Sequence, residues 1–327
     1  MTVGLTTRLT DASARSVRDA ARCLQDGGLV AFPTETVYGL GADAGNAAAI
    51  ARLYSAKGRP AFNPLIAHVG DLQAAEKIAR FDSQARALAE AFWPGPLTLV
   101  LPKAASCPVA DLATAGLDTV AVRIPDHPVA RALLQAFGGA VVAPSANISG
   151  HVSPTTAGHV RADLDGRIDM IVDGGPVAVG VESTIVGCFD APMLLRPGGL
   201  PREAIERLLG RALVMPPEEP ASATNQPLAP GMLASHYAPR TPVRLQAGEV
   251  RAGEALLAFG PVAVSGLDNA IAVLNLSAAS DLAEAATNLF GYLRALDAAG
   301  AAGIAIMPVP NHGLGEAIND RLRRAAV

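Results

Sequence analysis

Apolar positions recur along this chain in two rhythms. Between 11 and 27, Val17, Ala20, Ala21 and Leu24 fall at helical spacing, Asp11 and Ser13 can cap the start, and Gly27 and Gly28 stop the run. A helix is predicted there. Short solid apolar runs follow at 29–32, 65–69, 97–101, 120–124, 140–143, 170–172, 183–186 and 193–195, each a strand candidate. Helical spacing returns near 46–56, 71–79, 83–92, 127–137, 155–164 and 201–210. Short strands interleaved with helices predict one α/β (or α+β-like) domain over 1–211.

The pattern lapses over 212–240. Seven prolines between 215 and 242 predict an extended linker. Proline content explains extension, but not the compact group Pro230, Gly231, Met232, His236, Tyr237, Ala238 and Pro239 near its end. Beyond it, strands at 255–259, 271–274 and 303–307 with helices at 281–298 and 314–325 predict a smaller α/β domain over 241–327.

Composition narrows the class. With 327 residues, 50% of them hydrophobic and a net charge of −4, the chain is long enough for two domains and too apolar to be disordered. It holds no apolar run long enough to span a membrane, and its N-terminus has no basic region followed by an apolar one, so a soluble cytoplasmic protein is expected. Cys23, Cys107 and Cys188 are too scattered for a disulfide framework or a metal knuckle. No segment is basic and aromatics are 4% of residues, which argues against a broad nucleic-acid footprint.

Chemistry-bearing residues cluster just after the apolar runs, where α/β folds bind ligands. After 29–32 comes PTETVYGLGADA (33–44), whose Gly39, Gly41 and later Gly45 predict a tight loop carrying hydroxyls and one carboxylate. Lys57 and Arg59 flank the flexible Gly58. Two cations so spaced suit a polyphosphate, and equally suit the negative end of a helix. Arg123 ends a strand before Pro125, a position from which a guanidinium can grip a carboxylate or form an ordinary ion pair. Ser145 and Asn147 follow the strand at 140–143 without the glycines of a nucleophile elbow, so they read as hydrogen-bonding groups for anionic oxygens. There is no GxxxxGK[ST] loop, HExxH or GxGxxG, and the six histidines have no metal-ligand spacing.

Taken in order, PTETVYGLGADA (33–44), KGRP and NPLI with His68 (57–68), WPGPLTLVL (93–101), VAVRIPDH (120–127), APSANISG (143–150), ESTIVG (182–187) and LRPGG (195–199) resemble the L-threonylcarbamoyladenylate synthases with a YrdC-type domain. The group at 230–239 and the C-terminal unit resemble the long, two-domain branch of that family. The resemblance implies an open, twisted, mixed sheet of the YrdC type followed by a smaller Rossmann-like α/β domain. It implies an enzyme, a nucleotidyltransferase, that makes threonylcarbamoyl-AMP and pyrophosphate from L-threonine, bicarbonate and ATP. The product would serve the threonylcarbamoyladenosine modification of tRNA through separate transfer proteins.

The same resemblance implies a threonine site of Thr34, His68, Arg123, Ser145 and Ser183. It implies an ATP site of Lys57, Arg59, Asn63, Thr119, Ala143, Asn147, Ser153, Arg196 and Tyr237, with Lys57 and Arg59 as catalytic cations and Tyr237 on a closing flap. Mg²⁺ is expected to ride on the ATP phosphates, with no protein ligand. The C-terminal unit carries no comparable polar constellation and is expected to have a regulatory or interaction role. The alternatives are a carbamoyltransferase relative and an RNA-binding or ribosome-maturation module.

Overall fold

The computed structural model describes residues 5–216, 237–262 and 264–326. In chain order the first domain runs β1 (Arg8–Thr10), α1 (Ala14–Gln25), β2 (Val30–Pro33), β3 (Tyr38–Asp43), α2 (Ala47–Lys57), β4 (Ile66–His68), α3 (Leu72–Ile78), α4 (Ser83–Phe92), β5 (Leu97–Pro102), α5 (Asp111–Thr114) and β6 (Thr119–Arg123). It continues with α6 (Pro128–Phe137), β7 (Val141–Val142), α7 (Ala157–Leu164), β8 (Met170–Val172), β9 (Thr184–Cys188), β10 (Pro192–Arg196) and α8 (Arg202–Leu209). The second domain holds β11 (Val243–Arg244), β12 (Glu254–Ala258), β13 (Val273–Asn275), α9 (Leu282–Asp297), β14 (Gly303–Ile306) and α10 (Leu314–Ala325).

Ten strands form one mixed sheet in the order β1-β8-β2-β3-β7-β4-β6-β5-β9-β10. A second, all-parallel sheet has the order β11-β14-β12-β13. The expected mixed-sheet fold and the smaller α/β unit are both present. The segment 33–44 departs from its expected tight loop: it is a β-hairpin, with β2 and β3 antiparallel and Thr34–Val37 as the turn. Its glycines serve packing, since a Cβ at Gly41 would lie 2.9 Å from the Phe32 ring.

Most helices begin where a side chain can satisfy free N–H groups. Ser13, Asn46, Asp71, Asp82 and Thr156 accept from first-turn amides of α1, α2, α3, α4 and α7. Successive residues of a strand face opposite sides, which decides where the chemistry goes. Ala67, Leu99, Val122 and Val186 join the main core with Ile50, Leu53 and Leu88. Their neighbours Ile66, Val100, Ala121 and Ile185 form a small apolar cluster on the other face. His68 and Arg123 lie two residues beyond Ile66 and Ala121, so they share that second face, and strand pairing sets them side by side.

The linker expected at 212–240 starts later on the catalytic side. Val214 still pairs with β10, exchanging backbone hydrogen bonds with Pro192 and Leu194. Residues 217–236, with Pro230, Gly231, Met232 and His236 of the compact group, lie outside the described residues. From Tyr237 the chain docks again, as Ala238 N–H donates to the Gly150 carbonyl at 2.9 Å.

The two domains are packed tightly. Gly180 has a φ of +81°, and a Cβ there would stand 2.3 Å from the Ala286 carbonyl oxygen of α9. Arg294 of α9 pairs with Asp163 at 2.9 Å, and Arg202 of α8 pairs with Glu316 of α10. Among the described residues, no helix is long and apolar enough to cross a membrane.

Candidate active site

The open face of the large sheet, at the ends of β4 and β6, holds a cavity of about 50 Å³. Its wall includes Arg59, His68, Arg123, Ala143, Ser145, Ser183, Arg196 and Tyr237 from the expected set, joined by Thr36 and Glu182. These residues come from seven separate stretches of sequence, with 59–68 counted as one, and each is aimed by its local fold.

Arg123 is buried and donates from Nη2 to Glu35 Oε1 at 2.5 Å and from Nε to the Gly95 carbonyl at 3.3 Å. Glu35 Oε2 also accepts from the Asp126 amide at 2.9 Å, which fixes the carboxylate from two sides. His68 is buried beside it, and burial, reinforced by Arg123, pushes its pKa down to about 3. The ring is therefore neutral at pH 7. Its Nδ1 lies 3.1 Å from the Ile66 carbonyl, which can only accept, so Nδ1 carries the proton in that bond, and the Val141 backbone also meets the ring.

Arg196 owes its aim to a bulge. Between Leu194 and Arg196, β10 places one residue more than β9 opposite it, which turns Arg196 toward the cavity. There it donates from Nη2 to the Ser183 carbonyl at 2.8 Å and to Ser183 Oγ at 3.2 Å. Ser183 Oγ also meets Thr98 Oγ1 at 2.8 Å. Arg59 is tethered from Nη2 to the Pro64 carbonyl at 3.0 Å, and burial lowers its pKa to about 10, so it stays charged at neutral pH.

Three expected residues stand elsewhere than foreseen. Lys57 does not line the cavity: its amino group is buried and donates to the Ser145 and Asn147 carbonyls, fixing the loop that presents Ser145. Burial, then Arg59, holds its pKa well below the usual lysine value. Thr34 is spent inside the hairpin turn, donating to the Val37 carbonyl at 2.7 Å, and Thr36 takes the place on the wall. Thr119 begins β6, at the opposite end of the strand from Arg123, outside the cavity wall.

Ser153 stands one layer back, with its Oγ donating to Glu182 at 2.6 Å. Asn63 and Asn147 are buried, and their Oδ1 atoms have no hydrogen-bond partner. Buried acceptors left unpaired are costly, and neither side chain lines the cavity.

Sequence reasoning missed Glu182 as a wall residue. Burial alone would raise its pKa, but Arg321, Arg196 and Ser153 outweigh burial and hold it at about 2, so it is a carboxylate. It also missed that the C-terminal domain reaches this wall, for Tyr237 stacks on Phe290 of α9, ring centroids 5.5 Å apart. No group of three or more His, Cys, Asp or Glu side chains among the described residues could hold a metal ion.

The chain as a whole is similar to known proteins. Residues 22–198 match the family model of Sua5, YciO and YrdC, described as telomere recombination. Residues 200–327 match the model described as threonylcarbamoyl-AMP synthase, C-terminal domain. The chain is 42% identical over 324 residues to threonylcarbamoyl-AMP synthase of Bacillus subtilis, covering 95% of this chain and 92% of that one. It is 44% identical to the enzyme of the same name from Pyrococcus abyssi, covering 95% and 94%. A crystal structure of P. abyssi Sua5 complexed with L-threonine superposes with a TM-score of 0.87 at 40% identity, covering 98% of this chain and 97% of that one. The chain therefore belongs to the threonylcarbamoyl-AMP synthase family of enzymes, in its two-domain form.

Proposed function

We propose that this enzyme is a nucleotidyltransferase that joins L-threonine, bicarbonate and ATP into threonylcarbamoyl-AMP, releasing pyrophosphate. The observation that supports it best is the meeting of a buried arginine, a neutral histidine and two serines with two further arginines around one cavity. A free amino acid needs a cation for its carboxylate and an acceptor for its hydroxyl. Arg123 answers the first, with His68, Ser145, Ser183 and Thr36 at hand for the second. Arg59 and Arg196 supply positive charge for a triphosphate, and Asn63 and Asn147 offer free oxygens for the amino group of a base. Ser153 and Ala143 would border the nucleotide, with Thr119 farther out along β6.

The chemistry divides into two displacements. The threonine amine attacks the bicarbonate carbon, forming a C–N bond with loss of water. An oxygen of the resulting N-carboxylate then attacks the α-phosphorus, and pyrophosphate leaves with the electron pair of the broken P–O bond. The nucleophile is already anionic, so positioning and charge neutralisation carry the second step, not a strong base. Lys57 acts through the Ser145–Asn147 loop that it pins. The ATP phosphates would hold Mg²⁺, which would supply charge neutralisation beside Arg59 and Arg196.

A cavity of about 50 Å³ has room for little beyond a few water molecules. Admitting ATP would call for a wider opening, and Tyr237 is the wall residue that follows the linker. Its return would shield a labile carbamoyl-adenylate from water. The product would pass to separate tRNA-modifying proteins.

The test is pyrophosphate release with ATP, L-threonine and bicarbonate, each omitted in turn, with mass detection of the adenylate. Release that needs both co-substrates supports the reading. Release independent of threonine, or none from folded protein, overturns it in favour of the carbamoyltransferase or RNA-binding alternative.

A further inference from the structure

Among the described residues Arg321 is the largest fully buried side chain, and it belongs to α10, the last helix of the C-terminal domain. Among the described residues, its partners outside its own helix are two residues of the cavity wall, Glu182 and Tyr237, and Pro197 beside a third. Nε donates to Glu182 Oε2 at 2.9 Å, and Nη1 donates to the Pro197 carbonyl at 2.8 Å, next to Arg196. Its Cζ lies 5.3 Å from the centre of the Tyr237 ring. Asp320 accepts from Nη1 at 2.8 Å and is itself held by Arg324, which fixes the guanidinium from behind.

These contacts divide in a telling way. Glu182 and Tyr237 line the cavity, and Pro197 follows a third wall residue, while Arg321 itself does not line it. A charge with no view of the cavity cannot bind substrate in this state, but it can set two groups that line the cavity and the backbone next to a third. The stacked Phe290 ring holds Tyr237 from another side, so the cap rests on two elements of the C-terminal domain.

We propose that Arg321 is a positioning residue of the active site, through which the C-terminal domain holds the Tyr237 cap closed and the Glu182 carboxylate in place. This deepens the proposed synthase reading and rests on it. It gives the C-terminal domain a part in each turnover, beyond a regulatory or docking role. Loss of Arg321 frees the cap and lets water reach the α-phosphorus, where it forms the new P–O bond in place of the N-carboxylate and pyrophosphate leaves, so ATP is consumed to AMP without threonylcarbamoyl-AMP being made. The loss should act largely through Tyr237, and the two residues should therefore be coupled.

The experiment uses the full-length chain with Arg321→Met, Arg321→Lys, Tyr237→Ala and the Met–Ala double variant. The readouts are ATP KM and adenylate formed per ATP consumed. Arg321→Met is expected to lower kcat/KM for ATP on the order of 100-fold and to uncouple ATP use, with partial rescue in Arg321→Lys. In the Tyr237→Ala background the same change should cost far less. Equal losses in both backgrounds, or a coupling ratio that never moves, overturn the inference.

A readout independent of turnover accompanies it: exchange of the Ala238 amide hydrogen, which is bonded to Gly150. Exchange at Ala238 should quicken in Arg321→Met, and in Arg321→Lys if the methionine variant does not fold, while Ile304 in the second sheet stays protected. Unchanged Ala238 exchange overturns the inference whatever the activity. Wild-type protein without threonine-dependent turnover would instead overturn the synthase reading, leaving the exchange result to decide the role of Arg321.

Discussion

Glu35 and Arg123 form a buried ion pair, 2.5 Å between Oε1 and Nη2, at the wall where a substrate carboxylate would be received. Breaking a buried pair leaves a charge without a partner, at a cost of about 3–5 kcal/mol. Glu35→Ala is expected to lower stability by roughly that amount in denaturant melts. Glu35→Gln keeps an acceptor for Arg123 and should bind threonine within about tenfold of wild type by calorimetry, a difference of ~1.4 kcal/mol. Wild-type stability in Glu35→Ala would show that Arg123 does not depend on this partner.

Lys57 supports a loop, and its removal should read as a defect of chemistry more than of threonine binding. Lys57→Ala leaves the carbonyls of Ser145 and Asn147 without their donor, at about 1–3 kcal/mol each if they stay dry. Steady-state kinetics should show kcat falling by more than threonine KM rises. Unchanged turnover with a raised threonine KM would contradict that role.

The neutral, buried His68 makes an acid-side prediction. Its folded pKa of about 3 lies below the unfolded value, so the unfolded chain takes up the proton first. Its contribution is fully present above about pH 6.5 and is lost as pH falls toward the folded value. By pH 4.5 the loss amounts to about 2–3 kcal/mol. Urea melts of His68→Gln between pH 7 and 4.5 should show a shallower decline than wild type, and parallel curves would rule the histidine out as its source.

Gly198 sits where two backbone segments nearly touch. A Cβ there would lie 2.4 Å from the Glu182 carbonyl oxygen, Ser183 C and Thr184 N, none of which is a movable side-chain end. Gly198→Ala is expected to destabilise by about 1–3 kcal/mol and to shift Arg196 and Ser183 apart. Thermal melting together with ATP and threonine KM would reveal both effects. A melting point and KM values equal to wild type would mean that the backbone yields without cost.

The sequence made much of this fold legible where a pattern was long enough to be seen. The helix read at 83–92 and the strand read at 170–172 lie at those very positions. Short elements escaped: β1, α5 and β11 have 3, 4 and 2 residues, fewer than a period can mark. At 33–44, glycine was read as a sign of turning, although Gly41 serves to admit the Phe32 ring.

The candidate site followed the same logic. His68 and Arg123 could be picked out because strand ends point to ligands, and their pairing in the sheet brings them together. Lys57 was legible as a cation but not as an inward one, because the carbonyls that capture it are 88 and 90 residues away. Arg321 gave no local sign at all. In RLRR it looks like a last-turn cation, and its partner Glu182 is 139 residues distant.

The bare backbone contact at Gly180 bears on how such chains can be recombined. At Gly180 itself the backbone meets α9 directly, so this one contact cannot absorb a mismatch by changing rotamers. A catalytic domain grafted onto a C-terminal domain from a distant relative would inherit whatever helix surface that relative presents. Where that surface is bulkier than the stretch at Ala286 and Thr287, the graft would stand off, carrying its counterpart of Arg321 away from Glu182. Modular exchange in this architecture is therefore limited by one bare backbone contact as well as by the ion pairs that cross the seam.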